Sequence, residues 1–373
     1  MAETQLQLKS TITSQGQLQL ALARVPVPQP KAHEVLVRIE AAPINPSDLA
    51  VLINAGDINT LAVSGQGEEA VATMAVPPQA LKALAKRLDK GIPVGNEGGG
   101  TVVAAGSNCQ ALLGKTVGVS GGGMYCQYRV VPAASCLAMH PGTDVAAAAS
   151  SFINPLTALC MVETMRLENH TALVHTAAAS NLGQMLVKIC QADGVPLVNI
   201  VRKPEQVELL QGLGAEWVCN SSAEDFSQQL VQAVAATGAT LAFDAIGGGR
   251  LAGQILTAME NVASQAMSQW SPYGSEVTKQ VYVYGALDLN PIQLNRSFGM
   301  CWGVGGWLLP PFLQRLGMER FQVLRRRVAD EINTTFASHY TREISLREVL
   351  AEEALRSYTK QATGEKYLIR PQA

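Results

Sequence analysis

From about Asn154 onward the chain alternates short apolar strands with helices, and no other feature of the sequence limits its fold as tightly. Residues 172–175 (ALVH) read as a strand, 182–192 as a helix and 196–201 as the next strand; 204–213 follow as a helix that Gly214 ends. Residues 217–219, 240–245 and 281–285 continue the strands, with helices between them. Strands that are apolar throughout need helices over both faces, which predicts a doubly wound parallel sheet. After about Leu309 the chain becomes helical and charged, and it closes on an expected strand at 365–370.

The first half reads differently. Residues 34–41 (EVLVRIEA) alternate at period two, as a strand with one buried face does. Residues 100–105 and 116–120 look similar, and 125–131 follow a turn at Gly121, Gly122 and Gly123. Short strands divided by Gly and Pro predict a small β-barrel-like domain. Between Asn54 and Gly95 the strand pattern lapses. Within that stretch residues 78–90 (PQALKALAKRLDK) read as an amphipathic helix that Gly91 stops, with Lys82, Lys86, Arg87 and Lys90 on a solvated face. The expected fold class is therefore α/β in two domains, consistent with 373 residues being too many for one core.

Charge excludes several functions. The net charge of −2 leaves no footprint for nucleic acid or an anionic membrane. No apolar run reaches membrane-spanning length, and residues 1–10 lack the apolar core of a signal peptide, so cytoplasmic residence is expected. Seven scattered cysteines without a CxxC pair, and five separated histidines, argue against a disulfide framework and a compact zinc site.

A dinucleotide site needs a strand, a tight turn with exposed backbone N–H groups and a helix whose positive end meets pyrophosphate. The turn after Val174 runs from His175 to Gly183 as HTAAASNLG. Laid over GxGxxG, its glycine positions fall on Ala178, Ser180 and Gly183, with Asn181 and Leu182 opening the helix. Two of the three glycines are replaced, but by small residues, and Gly183 still permits close helix–strand packing. The position that reads the adenosine ribose lies about 20 residues further on, where this chain has Arg202 and Lys203. An NAD-preferring site places a carboxylate there. Two cations suit a 2′-phosphate instead, which predicts NADPH.

The chain resembles the medium-chain dehydrogenase/reductase superfamily, particularly its zinc-free quinone oxidoreductase and enoyl-thioester reductase branches. The segments that carry the resemblance are EVLVRIEAAPINPSDL (34–49), GNEGGGTVVAAG (95–106), INPLTAL (153–159), AAASNLGQ (177–184), LGAE (213–216), FDAIGG (243–248) and VYVYGAL (281–287), in family order. The resemblance implies a GroES-like catalytic domain from residues 1–152, completed by 311–373, with a Rossmann cofactor domain inserted at 153–310. It implies a substrate cleft at their junction, and a homodimer formed through cofactor-sheet edges, with VYVYGAL at such an edge. Zinc enzymes of the superfamily carry a ligating Cys where this chain has Asn45 and a His where it has Asn96. Amides are poor zinc ligands, which predicts a metal-free site.

By the same resemblance Asn45 lies beside the nicotinamide in an orienting or oxyanion role. Thr157 stands near it, and Tyr284, Gly285 and Ala286 lie near the nicotinamide amide. Asn154 is expected to cap the helix that carries Thr157, and Asp48 could cap a helix as well. Hydride donation from NADPH to a small-molecule electron acceptor, a quinone or an activated enone, suits such a site. The chain departs from its relatives in three places. Enoyl-thioester reductases carry a tyrosine shortly after the NPSD loop, where residues 54–58 offer none. Some quinone reductases meet the 2′-phosphate with a tyrosine where this chain has Ser221, and the segment 59–93 is longer than usual. An enoyl-thioester reductase and an NADPH-binding protein with little turnover remain alternatives.

Overall fold

A computed structural model describes residues 3–360 and 366–373. The chain forms two compact units, Met1–Ile153 with Arg325–Ala373, and Asn154–Leu324.

The first unit opens with β1 (Thr4–Ile12) and β2 (Gln17–Pro26), paired antiparallel along their whole length across a turn at Gly16. Their alternation puts Leu6, Leu8, Ile12, Leu18 and Leu20 in the core, each such side chain contributing roughly 1.5–3 kcal/mol on full burial. β3 (Glu34–Pro43) follows, then a 3₁₀ turn at Pro46–Asp48 and the short α1 (Leu49–Leu52). The stretch where the alternation lapses holds two strands, β4 (Asp57–Ser64) and β5 (Val71–Ala75). They extend the first sheet, whose order is β4-β5-β2-β1-β6, with β6 at Ile92–Pro93. The signal is faint because β4, at the sheet edge, is mostly exposed and buries Leu61 alone.

The helix expected over residues 78–90 is shorter. α2 spans Pro78–Ala83 and buries no residue, a 3₁₀ turn takes Ala85–Arg87, and Leu88 bridges to Ile12 while the Asp89 N–H donates to the Ile12 carbonyl. Pairing with the end of β1 overrides the helical pattern. β7 (Glu97–Ala105), β8 (Thr116–Ser120), β9 (Tyr128–Pro132) and β10 (Cys136–Ala138) build the second sheet around β3. The glycines of β7 are required by crowding. A Cβ at Gly100 would stand 1.9 Å from the Arg38 carbonyl oxygen, and one at Gly99 2.6 Å from that of Val145, which opens α3 (Val145–Ala149).

The second unit contains α4 (Ile153–Leu167), which begins at the unit boundary, and six strands: β11 (Leu173–Thr176), β12 (Leu197–Val201), β13 (Trp217–Asn220), β14 (Leu241–Asp244), β15 (Lys279–Val283) and β16 (Trp302–Gly306). All pair in parallel, in the order β13-β12-β11-β14-β15-β16. This is the doubly wound order that reverses beside its first strand, where such sheets bind ligands. α5 (Asn181–Asp193), α6 (Pro204–Gly212), α7 (Phe226–Thr237) and α8 (Leu251–Gln265) connect the strands.

Two expectations need correction here. The segment VYVYGAL was expected at a sheet edge, but β16 lies outside β15, so the edge belongs to Trp302–Gly306. Gly303, Gly305 and Gly306 make β16 so poor in side chains that the strand escaped the apolar pattern. Residues 311–324 group with the second unit, not the first. They form α9 (Leu309–Leu316) and the start of α10 (Met318–Asp330), where Arg315 pairs with Glu168 and Arg320 with Glu163.

The chain then returns to the first unit with β17 (Arg342–Ser345), α11 (Glu352–Lys360) and β18 (Tyr367–Arg370). β18 joins the second sheet between β3 and β17. It is the closing strand expected at 365–370, with Glu365 outside the described residues.

Candidate functional site

Within the second unit, the residues singled out for the cofactor gather at the carboxyl end of the parallel strands. β11 runs into a turn where Ala177 adopts a φ of 50°, and the Ala178 N–H reaches back to the Ile200 carbonyl of β12. Ser180 caps α5, its Oγ accepting from the Gly183 N–H at 3.1 Å, and Asn181 and Leu182 open the helix. A Cβ on Gly183 would stand 2.1 Å from the Ala178 carbonyl oxygen. The turn therefore lies flat on the first turn of α5, and the partial positive charge of a 13-residue helix projects through it.

Arg202 and Lys203 follow β12 directly, both exposed, and Gln206 accepts both of their backbone N–H groups. The backbone is thus fixed while both side chains are left in solvent. Ser221 follows β13 and donates its N–H to the Val201 carbonyl at 2.8 Å. Tyr284 lies just past β15, its N–H on the Asp244 carbonyl, followed by Gly285 and Ala286. Gly285 packs against Ala245, leaving 2.6 Å between a notional Cβ and the Ala245 carbonyl oxygen. Thr157 is buried on α4. Asn154 is no cap: α4 already begins at Ile153, so Asn154 sits inside its first turn.

The sequence reading missed two pairs beneath this surface. Thr176 Oγ1 donates to Asp244 Oδ1 at 2.7 Å and accepts from the Ala245 N–H, tying the ends of β11 and β14 together. His175 Nε2 lies 2.7 Å from the Tyr284 hydroxyl, and the rings stack. Burial drives the His175 imidazole down to about 3, so it is neutral. Burial likewise raises the Tyr284 phenol, so this pair carries no charge near neutral pH. A His and a Tyr separated by 109 positions give no local signal.

Within the first unit, Asn45 lies in a buried ionic cluster. Its backbone N–H donates to Asp48 Oδ2 at 2.8 Å, and its Nδ2 donates to Glu97 Oε1 at 2.8 Å. Asp48 also accepts from the Asn96 N–H, so it braces two loops and does not cap α1. Glu97 Oε2 accepts from the backbone N–H groups of Phe152 and Ile153, both at 2.9 Å. Lys366, just before β18, is buried, with Nζ 3.1 Å from Ser150 Oγ.

Burial sets the electrostatics of this cluster. It pushes the Asp48 carboxyl up to about 7 and outweighs the two backbone N–H groups that favour the anion. Glu97 is also raised by burial, opposed by the Lys366 charge and by its hydrogen-bond donors. Lys366 is drawn down to about 8 by burial, against the pull of Glu97 and Asp48. An acidic residue inside the glycine run GNEGGG was the available clue to Glu97; nothing local marked Lys366.

Among the described residues no group of three or more His, Cys, Asp or Glu side chains is placed to hold a metal ion. Asn96 points its Nδ2 at Ser47 Oγ, 3.0 Å away. No helix of the described residues is long and apolar enough to cross a membrane.

Two family models match, an alcohol dehydrogenase GroES-like domain over residues 31–141 and a zinc-binding dehydrogenase domain over 182–295. A candidate NADPH:quinone reductase from Mesorhizobium loti aligns over 100% of this chain and 99% of its own, with a TM-score of 0.74 and 25% identity. The chain belongs to the medium-chain dehydrogenase/reductase superfamily. Its first unit is the GroES-like domain of that superfamily and its second the Rossmann-like domain. Among superfamily relatives, the mitochondrial enoyl-[acyl-carrier-protein] reductase of Xenopus tropicalis is 31% identical over 196 residues, 50% of this chain and 47% of that protein. The human protein of the same name is 28% identical over 197 residues, 50% and 45% of the two chains. This superfamily member thus spans about half the length of the curated relatives it matches. The CurK enoyl reductase shares the fold, with a TM-score of 0.68 over 98% of this chain and 99% of that one at 18% identity.

Proposed function

We propose that the protein is an NADPH-dependent oxidoreductase that passes hydride to a quinone or an activated enone without a metal ion. The observation that carries this reading is the arrangement at the carboxyl end of β11 and β12. A capped helix N-terminus is approached closely by backbone, and two exposed cations stand at the end of the neighbouring strand. The first feature suits a pyrophosphate and the second a ribose 2′-phosphate. Residues Ala178, Ser180, Asn181, Leu182 and Gly183 would hold the pyrophosphate. Arg202 and Lys203, with Ser221 close by, would meet the 2′-phosphate.

The bound cofactor supplies the hydride. The chain's own part is to position and to exclude water. Tyr284, Gly285 and Ala286 would hold the nicotinamide end, with the His175 bond keeping the Tyr284 ring in place. Asn45 and Thr157 would serve the reacting groups. The metal-free reading rests on donor chemistry, since Asn45 and Asn96 offer amides, both engaged with neighbouring side chains. Without a Lewis acid to stabilise an alkoxide, the suitable acceptor is one that delocalises charge itself.

A second reading is reduction of an enoyl thioester, favoured by the curated relatives. The missing tyrosine at residues 54–58 speaks against it. We further infer a homodimer through the outer side of β16, which no strand of the described residues pairs, because an open parallel edge is a template for another strand. Incubating the purified protein with NADPH and a panel of quinones, enones and enoyl thioesters tests the proposal. Saturable NADPH oxidation with quinones or enones is expected. Turnover of enoyl thioesters alone favours the second reading, and saturable binding without oxidation by any acceptor favours an NADPH-binding protein.

A further inference from the structure

Asn45 is gripped at two points, yet one of its polar atoms is left over. Asp48 takes its backbone N–H and Glu97 takes its Nδ2, while the Asn45 Oδ1 is buried with no hydrogen-bond partner among the described residues. Leaving a buried amide oxygen unpaired is destabilising, because its hydration is lost and nothing replaces it. The amide has two orientations, and Glu97 selects between them. Glu97 Oε2 is held by the Phe152 and Ile153 N–H groups, so the carboxyl cannot swing away, and its Oε1 accepts from the Asn45 Nδ2. The Asn45 nitrogen thus faces Glu97, and the oxygen faces elsewhere.

We propose that Glu97 is a positioning residue that holds the Asn45 amide with Oδ1 outward, as an acceptor kept for an N–H or O–H donor on a bound ligand. The inference rests on the oxidoreductase reading above and adds to it the chemistry of the group received. Glu97 engages one of the two Nδ2 hydrogens, and the atom left over is Oδ1, so orientation is the role this geometry supports. The donor belongs either to the dinucleotide, whose nicotinamide end carries a carboxamide and ribose hydroxyls, or to the acceptor.

A reciprocal exchange tests this. In Glu97→Gln, the Gln oxygen is retained by Phe152 and Ile153, so its nitrogen turns to Asn45 and the amide flips to present Nδ2. A donor on the ligand then meets a donor. Losing one hydrogen bond weakens binding about three- to tenfold. If the dinucleotide is the source, the NADPH Kd from nicotinamide fluorescence rises by that factor. If the acceptor is the source, its KM rises at saturating NADPH while the Kd is unchanged. The double variant Asn45→Asp with Glu97→Gln restores a donor at 97 and an acceptor at 45, and is expected to return to within about twofold of wild type. Asn45→Leu leaves Glu97 on its two backbone donors and removes the oxygen, so it loses the same factor should Glu97→Gln fail to fold.

An unchanged Kd and KM in folded Glu97→Gln or Asn45→Leu would overturn the inference. So would a folded double variant that shows no recovery, or crystal structures with and without NADPH in which Oδ1 holds only a trapped water. Absence of any NADPH binding by the wild type would sink the underlying reading as well, whereas wild-type binding with insensitive variants would sink this inference alone.

Discussion

Two buried groups, Asp48 and His175, contribute opposite pH dependences to stability through the weakly acidic range, and a single substitution should unmask either one. Asp48 is raised from 3.8 to about 7 by burial, and His175 is lowered from 6.5 to about 3 by the same cause. For Asp48 the folded state binds the proton more tightly than the unfolded chain. Its contribution is therefore complete below pH 3.8 and is lost as pH rises to about 7. The difference of 3.2, from 7 minus 3.8, corresponds to about 4 kcal/mol at roughly 1.36 kcal/mol per unit. His175 runs the other way. Its folded form resists protonation, so stability grows between about pH 3 and 6.5 by a similar amount, about 5 kcal/mol.

The substitution Asp48→Asn removes the falling contribution. It also carries a cost of about 1–3 kcal/mol, fully seen only at low pH, because an amide cannot accept from both the Asn45 and the Asn96 N–H groups through separate oxygens. Urea unfolding of wild type and variant from pH 4 to 7.5 gives the difference curve. The deficit of the variant should shrink as pH rises and reverse towards pH 7. If the two units melt separately, the effect belongs to the transition of the first. A difference curve that is level between pH 4 and 7 would refute the burial argument for Asp48.

Other consequences are simpler to measure. Gly183→Ala forces the turn at Ala178 away from α5, since the new Cβ would stand 2.1 Å from a backbone oxygen. It should cost about 1–3 kcal/mol by denaturant unfolding and abolish measurable NADPH binding, and retention of wild-type affinity would contradict the close-approach argument. Elemental analysis should find no stoichiometric zinc in protein purified without chelator; one zinc per chain would overturn the metal-free proposal. Sedimentation velocity should report a particle of twice the 39.5 kDa chain mass, and a monomer at micromolar concentration would contradict pairing through β16.

The second unit was largely legible because strands such as β12 and β14 are mostly apolar runs between helices, and such runs announce themselves without neighbours. β11 and β12 fall within a residue of the expected positions, and Gly214 takes the positive φ that ends a helix. What escaped was set by long-range pairing. β4 and β5 are recruited into a sheet by β2, and residues 84–89 are drawn out of helix by the end of β1. β16 is nearly bare of side chains and forms through backbone bonds to β15, which periodicity cannot detect. At the candidate site, Asn45 and the turn before α5 were readable as motifs. The charges around Asn45 were not, because Glu97 and Lys366 lie 52 and 321 positions away and meet it only through folding.

The proposal as a whole depends on the pair of cations after β12 recognising a phosphorylated ribose. Equilibrium binding of NADPH and NADH to the wild type and to the Arg202→Ala, Lys203→Ala double variant measures this most directly. Loss of charge-assisted hydrogen bonds worth about 1.5–3 kcal/mol should weaken NADPH roughly 10- to 100-fold and leave NADH within about twofold of its wild-type value. Equal losses for the two cofactors, or none for either, would contradict the account.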